Sequence, residues 1–465
     1  MYDTLVHMSN EGFVPEPGLA ESWEISDDGL EYTFKLRSGL SFGDGTPLDA
    51  EAVKFTFDRM LDPEHPFADT GPFPFATSYF GQIDAVEAVD ATTVKFVLKE
   101  PFSAFLGNLS GMTGAIVSPT AVEAYGKDFS SNGVGSGPFK LTSWERGSRV
   151  VLEANPDYWE GAPAQSQAIF IPIVDNLARV VALQTGQINV AVNIQPDTIA
   201  GLEADDRFEV LQQVGPHVWW ITLDMNNEYL KSKEVRQALN YAVDREAITQ
   251  DILKGTGVPA YGPIPPGLAG YDPELVSYAY NPEKAKQLLA DAGYPDGFTM
   301  DFWIPTSGSG MQDPVPMATA IQAYWQEIGV TTNIQTLDWG TYLSKLAALP
   351  KDSGYTAFEL SFMLGTGEPD ILLNTLLSTS QLAPQGINTG GYSNPKLDEL
   401  IAEARRTTDS AQRASIYSEA AQIIIDDAPW VFVDHWKQSA AVSTDVQGFE
   451  LTQTFLLPLK SVSRQ

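Results

Sequence analysis

The chain has no cysteine and only four histidines among 465 residues. Without cysteine there are no disulfides and no thiolate metal sites, a composition that fits a secreted protein avoiding oxidation chemistry. His7, His65, His217 and His435 are scattered, with no HExxH and no ligand spacing. Each reads as an ordinary surface or core histidine, so neither a bound metal nor a cofactor is expected. Basic residues are scarce, 28 against 60 acidic, for a formal charge of −32. Such a balance argues against nucleic acid and anionic membrane as partners. The acids are spread along the chain, which points to a solvated acidic face and not to an acidic cleft for a cationic ligand. No run of eighteen apolar residues exists; even residues 168–183 are broken by Asp175, Asn176 and Arg179. Nothing here reads as a membrane span. No basic and apolar leader precedes MYDTL, so any secretion signal is expected to be removed or to lie outside this sequence.

Catalytic constellations are equally scarce. GVGSG at 133–137 has its serine one position too late for a nucleophile elbow and is followed by Pro138 where that elbow needs a helix. There is no GxxxxGK[ST], so the chain does not hydrolyse ATP itself. Asp27–Asp28, Asp205–Asp206 and Asp426–Asp427 are neighbours in sequence; their side chains diverge and cannot flank one bond. A secreted glycan-active enzyme remains as an alternative, and it would need carboxylates about 5–10 Å apart from distant segments.

What is present is a large soluble chain, 43% hydrophobic and 19% charged, long enough for two or three structural units. Tyr32, Phe34 and Leu36 alternate with polar neighbours, as do Val94, Phe96 and Leu98, which predicts strands. Val235, Ala238, Leu239, Ala242 and Val243 make a helical stripe. Asn281–Pro282 and Asn394–Pro395 are helix starts, each an N-cap followed by a first-turn proline. WVFVDHW at 430–436 reads as a strand. Trp219 and Trp220 are adjacent on the strand-like HVWWITLDMNN (217–227), so they face opposite ways. If one enters a core, the other is a candidate for a cleft wall.

Several phrases stand in fixed order: YDTL (2–5), LAESWEISDDGLEYTFKLRSGLSFGDGTPLDAEAV (19–53), GSGPF (135–139), ANPDYWEG (154–161), NLARVVALQTGQINVA (176–191), VRQALNYAVDREAI (235–248) and YSNPKLDELIAEAR (392–405). Their collinear order resembles the extracytoplasmic solute-binding proteins of the peptide/nickel ABC-importer family, over nearly the whole chain. The resemblance implies an α/β, two-lobed periplasmic-binding-protein architecture of type II, in the large peptide-binding cluster. Lobe one would take residues 1–222 plus 437–465, with an extra subdomain at about 40–165, and lobe two residues 223–436. Family members usually carry a strand or two before YDTL, which would leave the first edge of lobe one open here. The implied role is capture of a peptide-like, opine-like or oligosaccharide solute in the interlobe cleft and delivery to an ABC permease. The protein would act as a monomer in the periplasm or outside the cell, and could be membrane-anchored through a segment outside this sequence. Presentation of the loaded form to a chemoreceptor or sensor kinase uses the same fold and is the other alternative.

The resemblance also implies a binding site. Trp339, in TLDWGTYL (336–343), matches a segment near the ligand, and FMLGTGEPD (362–370) matches the loop that carries specificity. Phe362 falls on that loop's aromatic position. In peptide-binding relatives an aspartate that pairs with the ligand's ammonium stands where this chain has Gly365. The arginine that grips a dipeptide carboxylate falls on Val315 or Pro316. With both anchors missing, simple dipeptides are expected to be rejected. Thr366, Glu368 and Asp370 are the remaining polar candidates in the loop, and the abundant aromatics favour a polyhydroxylated solute.

Overall fold

The computed structural model describes residues 1–10, 12–73, 75–308, 310–347, 356–453 and 455–465, with the side chain of residue 347 left out. Two bodies of secondary structure are organised around one long strand. The first half of the chain builds a four-stranded antiparallel sheet from Ala20–Ile25, Glu31–Leu36, Thr93–Leu98 and Ile83–Asp90, in that spatial order. The predicted alternation holds: Tyr32, Phe34 and Leu36 turn inward and meet Val94, Phe96 and Leu98. Helix Ala50–Leu61, capped by Asp49, lays Val53 and Phe57 on this face. Phe57 meets Phe96 edge-on at 5.0 Å. A separate three-stranded sheet, Phe139–Glu145, Arg149–Ala154 and Gln167–Phe170, follows.

Three of the signature phrases of this half, YDTL, GSGPF and ANPDYWEG, converge on one buried carboxylate. Asp3 accepts hydrogen bonds from Ser136 Oγ (3.2 Å), Tyr158 Oη (3.2 Å) and Trp159 Nε1 (3.1 Å). Burial still raises its pKa against those bonds. The glycines of GSGPF are there because the N-terminal backbone lies on them. A Cβ on Gly135 would sit 2.5 Å from the Met1 carbonyl oxygen, and one on Gly137 would sit 2.6 Å from the Met1 carbonyl carbon. The serine that resembles a displaced nucleophile is thus a structural donor to Asp3.

The long strand Trp430–Ser443 has 14 residues and belongs to two neighbourhoods. Its later part pairs antiparallel with Val190–Val192 and Phe208–Val214. Its earlier part pairs with His217–Leu223 and Gly257–Pro259. From His217–Leu223 the sheet continues through Ala357–Met363, Phe298–Pro305 and Val330–Leu337, the last three parallel to one another. Helices cover both faces of this part, which is why Trp430–Trp436 is buried on consecutive residues and not on alternate ones. On one face Trp219, Ile221, Val431 and Val433 pack with Leu239, Ile321 and Trp325; on the other Val218, Trp220 and Phe432 pack with Leu372, Tyr417 and Ile424. The predicted starts at Asn281 and Asn394 are seen, each side chain accepting from first-turn amides of its helix. Val190–Val192 is an outer strand, and the helix Asn176–Gln184 that packs on it leaves Leu177 and Val181 exposed.

The VRQALNYAVDREAI phrase is a clamp on the long strand. Asn240 Nδ2 donates to the Trp430 carbonyl (3.0 Å). Arg236 donates twice to the Asp427 carbonyl, at 2.9 and 2.6 Å. Arg245 is fully buried and spends its guanidinium on carbonyls of Phe432, Ala260, Tyr278, Asn240 and Val243 and on Asn240 Oδ1. None of these groups is free for a ligand.

Candidate functional site

A cavity of about 620 Å³ opens where the long strand passes from one neighbourhood to the other. It lies at the carboxyl ends of the parallel strands Phe298–Pro305 and Ala357–Met363, the usual place for a ligand in an α/β sheet. Two groups of elements face each other across it. Val174, Arg179, Asn193, Gln195, Ser439 and Phe455 come from the first half and the C-terminal segment. His217, Thr306, Gln312, Asp313, Val315 and Ser361 come from the middle of the chain. Trp436, on the strand that joins the two, forms part of the wall.

Of the charged groups at this cavity, Arg179 is tied down and Asp313 is not. Arg179 donates to the Ile173 carbonyl (2.9 Å), the Asn193 carbonyl (2.8 Å) and Asn176 Oδ1, so its cation is braced in the wall. Burial lowers its pKa while Asp175 opposes the shift. Asp313 stands at the cap position of helix Pro314–Glu327 but makes no side-chain capping bond. Burial raises its carboxyl pKa, and the negative charge of Asp197 on the facing side adds to this. Deeper in, burial disfavours the charged form of each ionisable group. Burial pushes His217 down to about 3, helped by His435, against a Gly310 backbone contact. His435 is pushed down to about 4 by burial, with the His217 carbonyl at 2.9 Å from its Nδ1 opposing. Glu359, two residues before Ser361 on the same strand and 0% exposed, has its pKa raised well above the carboxylate range by burial.

The chain contains a family signature along most of this architecture: residues 14–383 match the model of the bacterial extracellular solute-binding proteins, family 5. The chain belongs to this family. A heme-binding protein A from Haemophilus influenzae is 34% identical over 97% of this chain and 84% of that protein. A glutathione-binding protein GsiB from Pectobacterium atrosepticum is 34% identical over 93% of this chain and 82% of that protein. A dipeptide-binding protein from Pseudoalteromonas sp. SM9913, solved with Met-Leu, superposes with a TM-score of 0.88 at 26% identity, covering 100% of this chain and 94% of that one. The fold of this family 5 member is therefore the mixed α/β periplasmic-binding-protein fold over its full length. It is a binding protein of the peptide/nickel type and not an enzyme. No helix among the described residues is long and apolar enough to cross a membrane. No group of three or more His, Asp or Glu among them could hold a metal ion.

Of the eight residues predicted from sequence to contact the solute, only Phe362 lines the cavity of this family 5 protein. Trp219 and Trp220 need correction. Each is 1% exposed, because this sheet has helices on both faces and so offers a core to both rings. Trp220 stacks on Trp430 at 4.2 Å, and Trp219 Nε1 donates to Met311 Sδ at 3.2 Å. Trp339 is half-buried behind the cavity: it stacks on Tyr342, and a Cβ on the cavity-lining Gly308 would meet its ring at 2.4 Å. It props the wall without forming it.

Gly365, Thr366, Glu368 and Asp370 also lie off the wall of this cavity. Thr366 and Glu368 press on the helix Phe105–Ser110 and its end, where Cβ atoms on Gly107 and Gly111 would meet them at 2.8 to 3.2 Å. Asp370 pairs with Arg405 at 3.5 Å. Burial raises Glu368 to about 7 against the charge of Arg413, and Asp370 to about 6 against Arg405. This acidic turn holds the middle of the chain to the first half. Val315, the position matched to a missing arginine, does line the cavity. Sequence reading missed His217, Gln312, Asp313, Arg179 and Ser361. They sit at strand ends and helix starts, where no periodicity marks them.

Proposed function

We propose that this protein captures a polar solute of about tripeptide size in the cavity and presents the loaded form to the membrane permease of an ABC importer, outside the cytoplasmic membrane. The observation that carries this reading is that residues from both sides of the long strand line one cavity. A ligand filling it would touch both groups of elements at once and favour their approach. The division into residues 1–222 plus 437–465 and residues 223–436 follows as a proposal, with the strand His217–Leu223 hydrogen-bonded on the side of the second lobe.

Peptide-like, opine-like and oligosaccharide solutes share the required chemistry, many hydroxyls or amides on a compact frame. The 34% identity to a glutathione-binding protein supports the peptide-like member of this set. Free dipeptides are disfavoured: Gly365 offers no carboxylate to an ammonium, and Val315 no cation to a carboxylate. Burying either end unpaired costs several kcal/mol. The test is a melting-temperature and calorimetry panel of glutathione, tri- and tetrapeptides, a mixed dipeptide library, agropinic acid and oligosaccharides. A tripeptide-sized member is expected to bind and stabilise the protein by about 2.7 kcal/mol at a hundredfold excess over Kd. Tight binding of unmodified dipeptides would overturn the missing-anchor argument, and no binding across the panel would overturn solute capture.

A further inference from the structure

The turn at 366–370 carries two carboxylates into the contact between the middle of the chain and its first half. Glu368 Cγ lies 2.8 Å from where a Cβ on Gly107 would stand, and Thr366 Cγ2 lies 3.2 Å from one on Gly111. Phe13 lies against Gly367, whose φ is +73° and where a Cβ would come within 2.4 Å of the ring. Arg405 completes this seam: its guanidinium covers the Phe102 ring at 4.7 Å, and its carbonyl accepts from the Ser103 amide at 2.7 Å. Ser103 Oγ donates to the Ala404 carbonyl at 3.0 Å. Residues 13 and 102–111 belong to the first proposed lobe, and residues 366–370 and 404–405 to the second. The seam therefore runs between the lobes.

This seam is polar and incompletely paired. Asp370 is 3% exposed, and Arg405 approaches it at 3.5 Å without a hydrogen bond of good geometry. Thr366 Oγ1, Arg413 Nε and Tyr417 Oη are also buried without a hydrogen-bond partner. Glu368 stands at the cap position of helix Pro369–Leu377 and makes no side-chain capping bond. The groups that face the two carboxylates are Arg413 on helix Ser410–Asp427, Arg405 on helix Pro395–Arg406, the hydroxyls of Tyr417 and Tyr32, and each other. Helix Phe105–Ser110, packed against Glu368, has no titratable side chain. The arginines and the amino end of helix Pro369–Leu377 favour the ionised forms. Burial opposes them at both residues, and at Glu368 the charge of Asp370 adds to it. Burial wins at both: Glu368 titrates at about 7 and Asp370 at about 6, against about 4 for carboxyls in water.

We propose that this seam is a proton-operated catch between the two lobes, in which protonation of Glu368 and Asp370 favours the closed form and their ionisation loosens it. This rests on the two-lobe, solute-capture reading of the cavity. When the lobes part, both carboxyls meet water and ionise near about 4. Closing returns them to the seam, so closure takes up protons. Their contribution to the closed form is full below about pH 4 and is lost as pH rises through about 7. Linkage is reciprocal: a solute that closes the lobes is held more tightly at lower pH and draws protons in as it binds.

The chain has no cysteine, so introduced cysteines carry a pair of pH-insensitive fluorophores without competing sites. Val89 (59% exposed) and Tyr125 (46%) in the first lobe are each combined with Val276 (59%) in the second. Energy transfer in the full, unliganded chain is followed from pH 8.5 to pH 5.5. The ratio of closed to open form is expected to rise at least about tenfold, with its midpoint between about pH 6 and 7. In Glu368→Gln the rise should shrink to about fourfold, the share left to Asp370. Glu368→Gln combined with Asp370→Asn should show closed-form transfer already at pH 8.5 and no further change. Transfer in the parent that is independent of pH, or that signals closure toward alkaline pH, overturns the catch, and this arm needs no variant of the seam to fold. A parent-like rise in the double variant overturns it as well. No solute takes part, so a failed solute panel beside a successful titration would overturn only the solute reading.

Discussion

Arg245→Met is expected to destabilise the protein by about 3–5 kcal/mol, the largest effect of any single substitution outside the binding site. The guanidinium is fully buried and hydrogen-bonded to five carbonyls and one side-chain oxygen. Its pKa is lowered to about 10 by burial, so it stays a cation at neutral pH. Methionine matches the apolar stem but leaves the carbonyls of Phe432, Ala260 and Tyr278 without their donor, each worth about 1–3 kcal/mol when unmet. Arg245→Lys should recover less than half of the loss, since one ammonium cannot span acceptors placed around a planar fork. Urea denaturation measures both variants. A loss below about 1 kcal/mol for methionine would mean that the clamp on the long strand is not structural.

The second large effect is a pH-dependent gain from Asp434→Asn. Burial pushes the Asp434 carboxyl up to about 8, whereas an unfolded chain ionises it near 3.9. Between those values the folded state holds the extra proton. Stability from this group is full below about pH 4 and is lost as pH rises through 8, by about 1.4 kcal/mol per pH unit in the middle of the range. Glu368 and Asp370 act with the same sign. His217 and His435 act oppositely, because they stay neutral when folded and the unfolded chain protonates them below about 6.5. Asparagine removes one share of this balance. Its stability advantage over the parent should be larger at pH 7.5 than at pH 5.5 by about 2 kcal/mol, measured by denaturation at both values. An equal difference at the two pH values would show that Asp434 does not hold a proton in the fold.

The phrases that made the family legible are those whose residues hold the backbone together. Asp3, Ser136, Tyr158 and Trp159 meet at one buried hub, and Arg236, Asn240 and Arg245 meet at another. Such groups need fixed identities at fixed places, so they leave a pattern in sequence. They therefore announce the architecture while carrying no information about the solute. Strand alternation at Tyr32–Leu36 and the Asn-Pro helix starts were legible for a similar reason, since local geometry dictates them.

The site was less legible because its residues answer to a ligand and not to their neighbours. Asp313 looks like any helix-start aspartate until the fold sets it, without a capping bond, on the wall of the cavity. The reading of Trp219 and Trp220 assumed a sheet with one buried face, whereas helices on both sides give each ring its own core. Glu368 and Asp370 look like ligand-facing acids in a turn. They are instead committed to the contact with Phe105–Ser110 and with Arg405, a long-range contact that no local spacing reveals.

The central claim is that a solute is captured in the cavity that both sides of the long strand share. Its most direct test compares the parent with Met363→Trp, in small-angle scattering and calorimetry with the solute found by the panel. Met363 lines the cavity and is 39% exposed, so a larger ring there would occupy solute space without disturbing a core. The account predicts that the parent binds and becomes more compact, while Met363→Trp melts like the parent when unliganded and neither binds nor compacts. Parent-like affinity in Met363→Trp would place the binding site elsewhere and contradict the account.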